Sequence, residues 1–252
     1  MGFSVVAMSL VIVALSGCSD KSTKPNTKAP DLPPQSSFIV DFSNFTAPSG
    51  VAAFTGDPSD TFSHVNWTES ALKVGFWNLV LTINLAVPTA SFVEAFNHTP
   101  VELSDGSWQW SYNVTVAGDH YACKLIGSIE SAEVHWRMYL SKEGEFTDYL
   151  WYSGTHDLLA TSGTWTVNRG PGLTNPYIGI VWQRDIGAGI KMIKYTNIIP
   201  GDAANGSYVE YQTNVVAGID RRYTIFNSEQ VKTTTIEWDH LNHNGRVMDP
   251  AY

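Results

Sequence analysis

Glu133-Val134-His135-Trp136-Arg137-Met138-Tyr139-Leu140 is the stretch that sets the fold class. In an extended chain Val134, Trp136, Met138 and Leu140 fall on one face and Glu133, His135, Arg137 and Tyr139 on the other, because successive strand side chains point to opposite sides. One apolar and one polar face is the pattern of an antiparallel sheet that packs on one side and meets water on the other. Residues 232–240 repeat it, with Ile236 and Trp238 separated by Glu237.

Outward from this stretch, turn signals recur about every 8 to 14 residues from Gly106 onward, the spacing of an all-β sandwich or barrel. The runs between them predict strands at 108–116, 120–129, 133–140, 149–154, 163–168, 177–184, 189–198, 207–214, 221–227, 232–240 and 246–248. Connections such as Gly187-Ala188-Gly189, Ala217-Gly218-Ile219-Asp220 and His243-Asn244-Gly245 are short, and Asn-Gly is a strong hairpin signal. Consecutive hairpins need no crossover, so a meander is expected.

Before Gly106 the periodicity changes. Asn66 and Glu69 form a capping pair, Leu72, Phe76, Leu79, Val80 and Ile83 recur at helical spacing, and Pro88 ends the run. A second short helix is expected over about 89–96, with Phe92, Val93 and Phe96 on one face and Pro88 near its first turn. Gly75 and the β-branched Val74, Val80, Thr82 and Ile83 keep a strand open as the competing reading of the first helix. A short alternating stretch at 38–45 reads as a first strand or edge segment. The expected fold is mainly β. It is an antiparallel meander forming a strongly curved sheet or barrel-like domain, covered by one or two N-terminal helices, with 38–252 as one domain and the helical segment near 67–97.

The chain has a formal net charge of −9 and no run of Lys or Arg, which disfavours a nucleic-acid partner. With 12% aromatic residues, nine of them tryptophans among all ring types, it has the material for a large core.

At the other end, Val5 to Leu15 is an uncharged apolar run of signal-peptide length, too short to span a bilayer. It leads into Leu15-Ser16-Gly17-Cys18, which resembles the lipobox of bacterial lipoproteins. Met1-Gly2-Phe3-Ser4 departs from a usual signal in carrying no positive charge. The resemblance implies removal of residues 1–17, a diacylglyceryl group on the Cys18 thiol, an acylated new amino terminus, and stable attachment to a membrane. Ser19 in place of Asp leans the same resemblance toward the outer membrane of a bacterial cell envelope. Residues 18–37, rich in Lys, Pro, Ser and Thr, read as a flexible tether.

Catalytic signatures are missing from the sequence: there is no Gly-x-Ser-x-Gly elbow, phosphate loop, dinucleotide fingerprint or His-Glu-x-x-His, and no cofactor is expected. Asp239, His240 and His243 are metal-competent but more simply decorate a hairpin end, and Gly154-Thr155-His156-Asp157 has the same status. Glu133, His135 and Arg137 share a strand face expected to point outward, and Glu210 and Gln212 present the same choice. Trp108 and Trp110, near Tyr149, Trp151 and Tyr152 in the pattern, either fill the core or stack on a sugar. Cys123, left without a partner by lipidation of Cys18, reads as a small buried hydrophobe.

Trp108, Trp110, Glu133, His135 and Arg137 are therefore the candidate binding residues and Cys18 the lipidation site. The expected function is that of a non-enzymatic, membrane-anchored envelope lipoprotein binding an apolar or amphiphilic ligand or an envelope protein. The alternative is a surface carbohydrate-binding β-sandwich. A glycan hydrolase would need two carboxylates about 5 to 10 Å apart in a cleft. In general architecture only, a curved meander over a helical insert is similar to the half-barrels of lipoprotein carriers that bind acyl chains.

Overall fold

From Gly106 onward the alternating runs are strands in the computed structural model, which describes residues 28–39, 81, 84–216, 219–239, 241 and 245–248; Phe38 and Ile39 of the expected first strand are not strand. The strands are β1 (Val101–Glu102), β2 (Trp108–Val116), β3 (Asp119–Glu130), β4 (Glu133–Lys142), β5 (Phe146–Asp157) and β6 (Ser162–Gly170). They continue with β7 (Leu173–Asp185), β8 (Gly189–Asn197), β9 (Tyr208–Val216), β10 (Ile219–Asn227), β11 (Lys232–Trp238) and β12 (Gly245–Met248). All twelve form one antiparallel sheet in sequence order, a pure meander. The barrel-like alternative does not hold: β1 and β12 stand at opposite edges, and the sheet stays open.

Register puts one residue of each pleat on the same face. Gly127, Trp136, Gly154, Trp165, Ile180, Tyr195, Val209 and Ile225 face one another across β3 to β10 as a single cross-strand row. Trp136, Trp165, Trp182 and Trp238 are fully buried on this face, each such side chain stabilising by about 1.5–3 kcal/mol or more. The glycines make room for them. A Cβ on Gly127 would stand 2.6 Å from Cζ3 of Trp136, and one on Gly163 would stand 2.8 Å from Cζ2 of Trp182.

Chain from before β1 packs on the apolar face. Helix α1 (Ala86–Glu94) buries Pro88, Ser91 and Phe92. Pro88, expected to end a helix, sits in the third position of α1: lacking an N–H it cannot bond back to Asn84, and Leu85 leaves helical geometry at φ −105°, ψ 10°. Most of the helix expected from Asn66 lies outside the described residues, with Leu81 and Asn84 helical. Residues 28–37, read from composition as tether, lie against the sheet with Pro30, Pro33 and Ser37 buried. Phe38 closes a 3-10 turn over Gln35–Ser37 and is buried between Phe92, Tyr152 and Trp165, with ring centroids 5.5, 5.0 and 5.6 Å away. Residues 40–45 of the expected first strand lie outside the described residues.

Candidate functional site

Strands alternate direction, so the meander has two ends. One carries the β2–β3, β4–β5, β6–β7, β8–β9 and β10–β11 connections and the other carries the rest. At the first end, between helical Leu81 and Asn84 and β7 to β10, the packing leaves a half-open cavity of about 300 Å³. Ile178, Tyr195 and Val209 are its buried apolar floor, with Ile225 beside them and Leu81 above. Those residues point in because they belong to the inward pleat of their strands.

A polar rim surrounds this floor. The Tyr177 hydroxyl donates to Oδ1 of Asn84 at 2.9 Å. The long β8–β9 connection is built by its own side chains. Asn197 accepts from the Ile199 N–H at 3.0 Å, Asp202 accepts from the Ala204 N–H at 2.9 Å, and Asn205 donates to the Ile199 carbonyl at 2.7 Å. The Ala204 N–H and Asn197 amide hold the Asp202 carboxyl below its ordinary range. Ser207 Oγ accepts from the Ser228 N–H at 2.9 Å and fastens this loop to the β10–β11 turn. Among the described lining residues Glu229 carries the one formal charge, and Arg169 stands 5.9 Å from the Tyr177 ring centroid. The arrangement is an apolar slot with hydrogen-bonding groups at its mouth, suited to holding a chain or ring with a polar end.

None of the candidate residues read from sequence lines this cavity. Trp110 is 3% exposed, its ring 5.4 Å from that of Trp136, and Trp108 packs partly buried against the same core. Glu133 and Arg137 are exposed on the opposite face with His135 half-buried between them, and His135 Nε2 stands 3.9 Å from Glu133 Oε2. These three residues do not converge on the tryptophans, which occupy the other side of the sheet. Half-buried Tyr149, Trp151 and Phe146 cluster with buried Tyr121, and the Tyr149 and Trp151 rings meet edge-on at 82°. Glu210 and Gln212 fall on the outer face, where Gln212 lies 3.5 Å from Arg222.

Cys123 is buried, and desolvation pushes its thiol up to about 12, so it packs as an apolar group. His156 is buried rather than exposed. Its Nδ1–H donates to the Asp157 carbonyl at 2.6 Å. The Asp157 carboxylate organises the β5–β6 turn by accepting from the Leu159, Thr161 and Ser162 N–H groups. Burial opposes its charge and these bonds favour it, and the bonds prevail, holding it well below the carboxylate range. No group of three potential metal ligands occurs among the described residues, and His240 and His243 lie outside them.

Ile178, Tyr195, Val209 and Ile225 fall within the predicted strands, but the strand ranges gave no sign of the cavity beside them. Alternation says which side chains face inward, not how closely the covering segment approaches. No protein family, no curated protein and no solved structure matches this chain.

Proposed function

We propose that the chain is a lipoprotein of a bacterial cell envelope, anchored through acylated Cys18, whose β domain holds an apolar or amphiphilic ligand in the cavity between β7 and β10. The observation that carries this reading is the cavity itself, about 300 Å³ with Ile178, Tyr195, Val209 and Ile225 on the inside and amide and hydroxyl groups at the mouth. That volume stands at the small end of ligand sites and accommodates a single acyl chain or a compact apolar ring system rather than a two-chain lipid. In this reading the helical segment near 67–97, of which α1 is the described part, covers the apolar face of a strongly curved sheet, and the anchor holds the domain at the outer membrane. No helix among the described residues is long and apolar enough to cross a membrane. We assign no enzymatic activity. The carbohydrate-binding alternative receives no support from Trp110, whose ring is enclosed.

Organic extraction and mass spectrometry of the detergent-free chain test the proposal, together with titration of a fluorescent fatty acid. A stoichiometric apolar ligand, or uptake of the probe, is expected. Ile225→Trp, which fills the slot, is expected to abolish both while leaving the fold intact by circular dichroism. Absence of ligand and of probe binding in the unsubstituted chain overturns the reading.

A further inference from the structure

The end of the sheet opposite the cavity carries the β3–β4, β5–β6, β7–β8 and β11–β12 connections. Solvent-exposed loop tips ordinarily hold Gly, Asn, Asp or Ser. Here they hold aliphatic side chains: Ile129 beside the first, Leu158 and Leu159 on the second, Ile186 on the third and Leu241 on the fourth, all more than half exposed. Neighbouring strands stand about 4.8 Å apart, so the first three tips recur about every 10 Å along this edge and the fourth stands about 20 Å beyond the third. The result is a row of separated apolar points, not a groove.

The row is rigid. The Asp157 carboxylate caps the turn that presents Leu158 and Leu159. Arg184, at the root of the Ile186 hairpin, donates its N–H to the Thr161 carbonyl at 2.8 Å and its Nε to the Ala160 carbonyl at 2.5 Å, locking the two tips together.

The N-terminal segment reaches the sheet at this same end. The Asp31 main chain faces His156, the penultimate residue of β5. From there the segment runs to Ser37, which accepts from Trp165 Nε1 at 3.3 Å, and to Phe38, whose carbonyl accepts from the Tyr195 hydroxyl at 3.2 Å. Ten residues connect Cys18 to Lys28, a span of at most about 33–36 Å. An acylated Cys18 therefore keeps the apolar row within a short reach of the bilayer holding the acyl chains.

We infer that this end of the sheet is a membrane-docking edge whose tips, Leu158, Leu159 and Ile186 foremost, enter the interface of a zwitterionic phospholipid bilayer. The occupant is lipid rather than protein because the points are isolated and lie where the tether begins. It is zwitterionic rather than anionic because the charged residues adjoining Ile129 and Ile186 in the chain, Glu130 and Asp185, are exposed and acidic. The orientation argument rests on the proposed acylation, whereas the insertion of the tips does not.

The test uses the full chain with Cys18→Ser, which removes the acyl anchor, and phosphatidylcholine vesicles. Ile186→Cys in this background carries an environment-sensitive dye, since the buried thiol of Cys123 escapes labelling. A blue shift on vesicle addition is expected, with none from the same dye at Val231→Cys, which is 80% exposed on the opposite end. Combined Leu159→Glu and Ile186→Glu is expected to weaken vesicle partitioning at least about tenfold per side chain. An unshifted dye at position 186, equal shifts at 186 and 231, or partitioning unchanged by the two glutamates overturns the inference. So does a dye response that follows protein concentration instead of lipid, which would assign the row to a second copy. Acylation is read separately from the mass of the unsubstituted chain. An unmodified Cys18 sinks the anchor and leaves the dye readings to decide the docking edge.

Discussion

Gly154 shows how tightly individual positions are constrained. A Cβ there would run into the Thr164 carbonyl oxygen and the Trp165 ring, and backbone cannot yield as a flexible side chain can. Gly154→Ala is expected to lower the unfolding free energy by about 3 kcal/mol or to prevent folding, whereas Gly144→Ala, at a turn with open space around it but φ +75°, should cost about 1 kcal/mol. Chemical denaturation of the two variants checks the ordering. His156 is the second revealing residue. Burial first, against the opposing pull of the Asp157 carbonyl, lowers its pKa below 6.5. The unfolded chain thus takes up a proton that the folded chain refuses, so stability is full above about pH 6.5 and falls as the pH drops toward the folded value. Thermal melts from about pH 7.5 to about pH 5 should show this decline, and His156→Phe should flatten it. An unchanged slope in the variant would remove His156 as the cause. In the sequence His156 looked like turn decoration, because burial of a polar residue depends on the segment lying over it. Cys123, flanked by alternating apolar residues of its own strand, was legible as buried.

At the level of elements, the strands were legible nearly residue by residue. β2 has the bounds the alternation predicts, most others lengthen toward their turns, where pairing continues past the last apolar residue, and β8 and β11 end one and two residues earlier than predicted. β1 is too short to leave a periodic trace. The helices were less readable, since Pro88 is compatible both with the end of one helix and with the first turn of the next. Sheet-face chemistry at the β10–β12 edge was also hidden. Arg222, Glu237 and Arg246 stand side by side across three strands, with each guanidinium Nε donating to one oxygen of the Glu237 carboxylate at 2.7 Å. The guanidinium pair itself shuts that carboxylate off from water. Burial raises its pKa and the two cations lower it, and the cations prevail. Its contribution is therefore present above about pH 4.5 and is lost as the pH falls through the lowered folded value. Glu237→Gln is expected to cost about 2–4 kcal/mol near neutrality, tempered because both arginines remain about a third exposed. Urea titrations at neutral pH and at about pH 3 should show the difference between wild type and variant shrinking in acid.

The whole molecule is governed by an asymmetry between how its sheet forms and how that sheet is covered. Every strand pairs with its sequence neighbour, so the meander assembles from local contacts. Its cover is remote: the Ser37–Trp165 bond spans 128 residues and the Phe38–Tyr195 bond spans 157. The alternation announces that one face must be covered, but nothing local in 28–39 says that this proline-rich segment does it, and composition pointed to a free tether. An open sheet with uncovered tryptophans is not a stable state, so the cover and the sheet should unfold together. Phe38 and Phe92 join the N-terminal segment to α1, their rings 5.5 Å apart and both packed on Trp165. Phe38→Ala and Phe92→Ala are each expected to cost about 3–5 kcal/mol. The double variant should cost less than the sum by about 0.5–3 kcal/mol, because each truncation already removes the other's neighbour. Anilinonaphthalene sulfonate binding should rise in both single variants as the apolar face opens. Strictly additive losses, or a Phe38→Ala protein that melts in two steps, would mean that the segment and the helix cover the sheet independently. The cavity, which lies between the sheet and the helical residues, would then survive loss of the N-terminal segment. Coupled losses would instead make its shape depend on both.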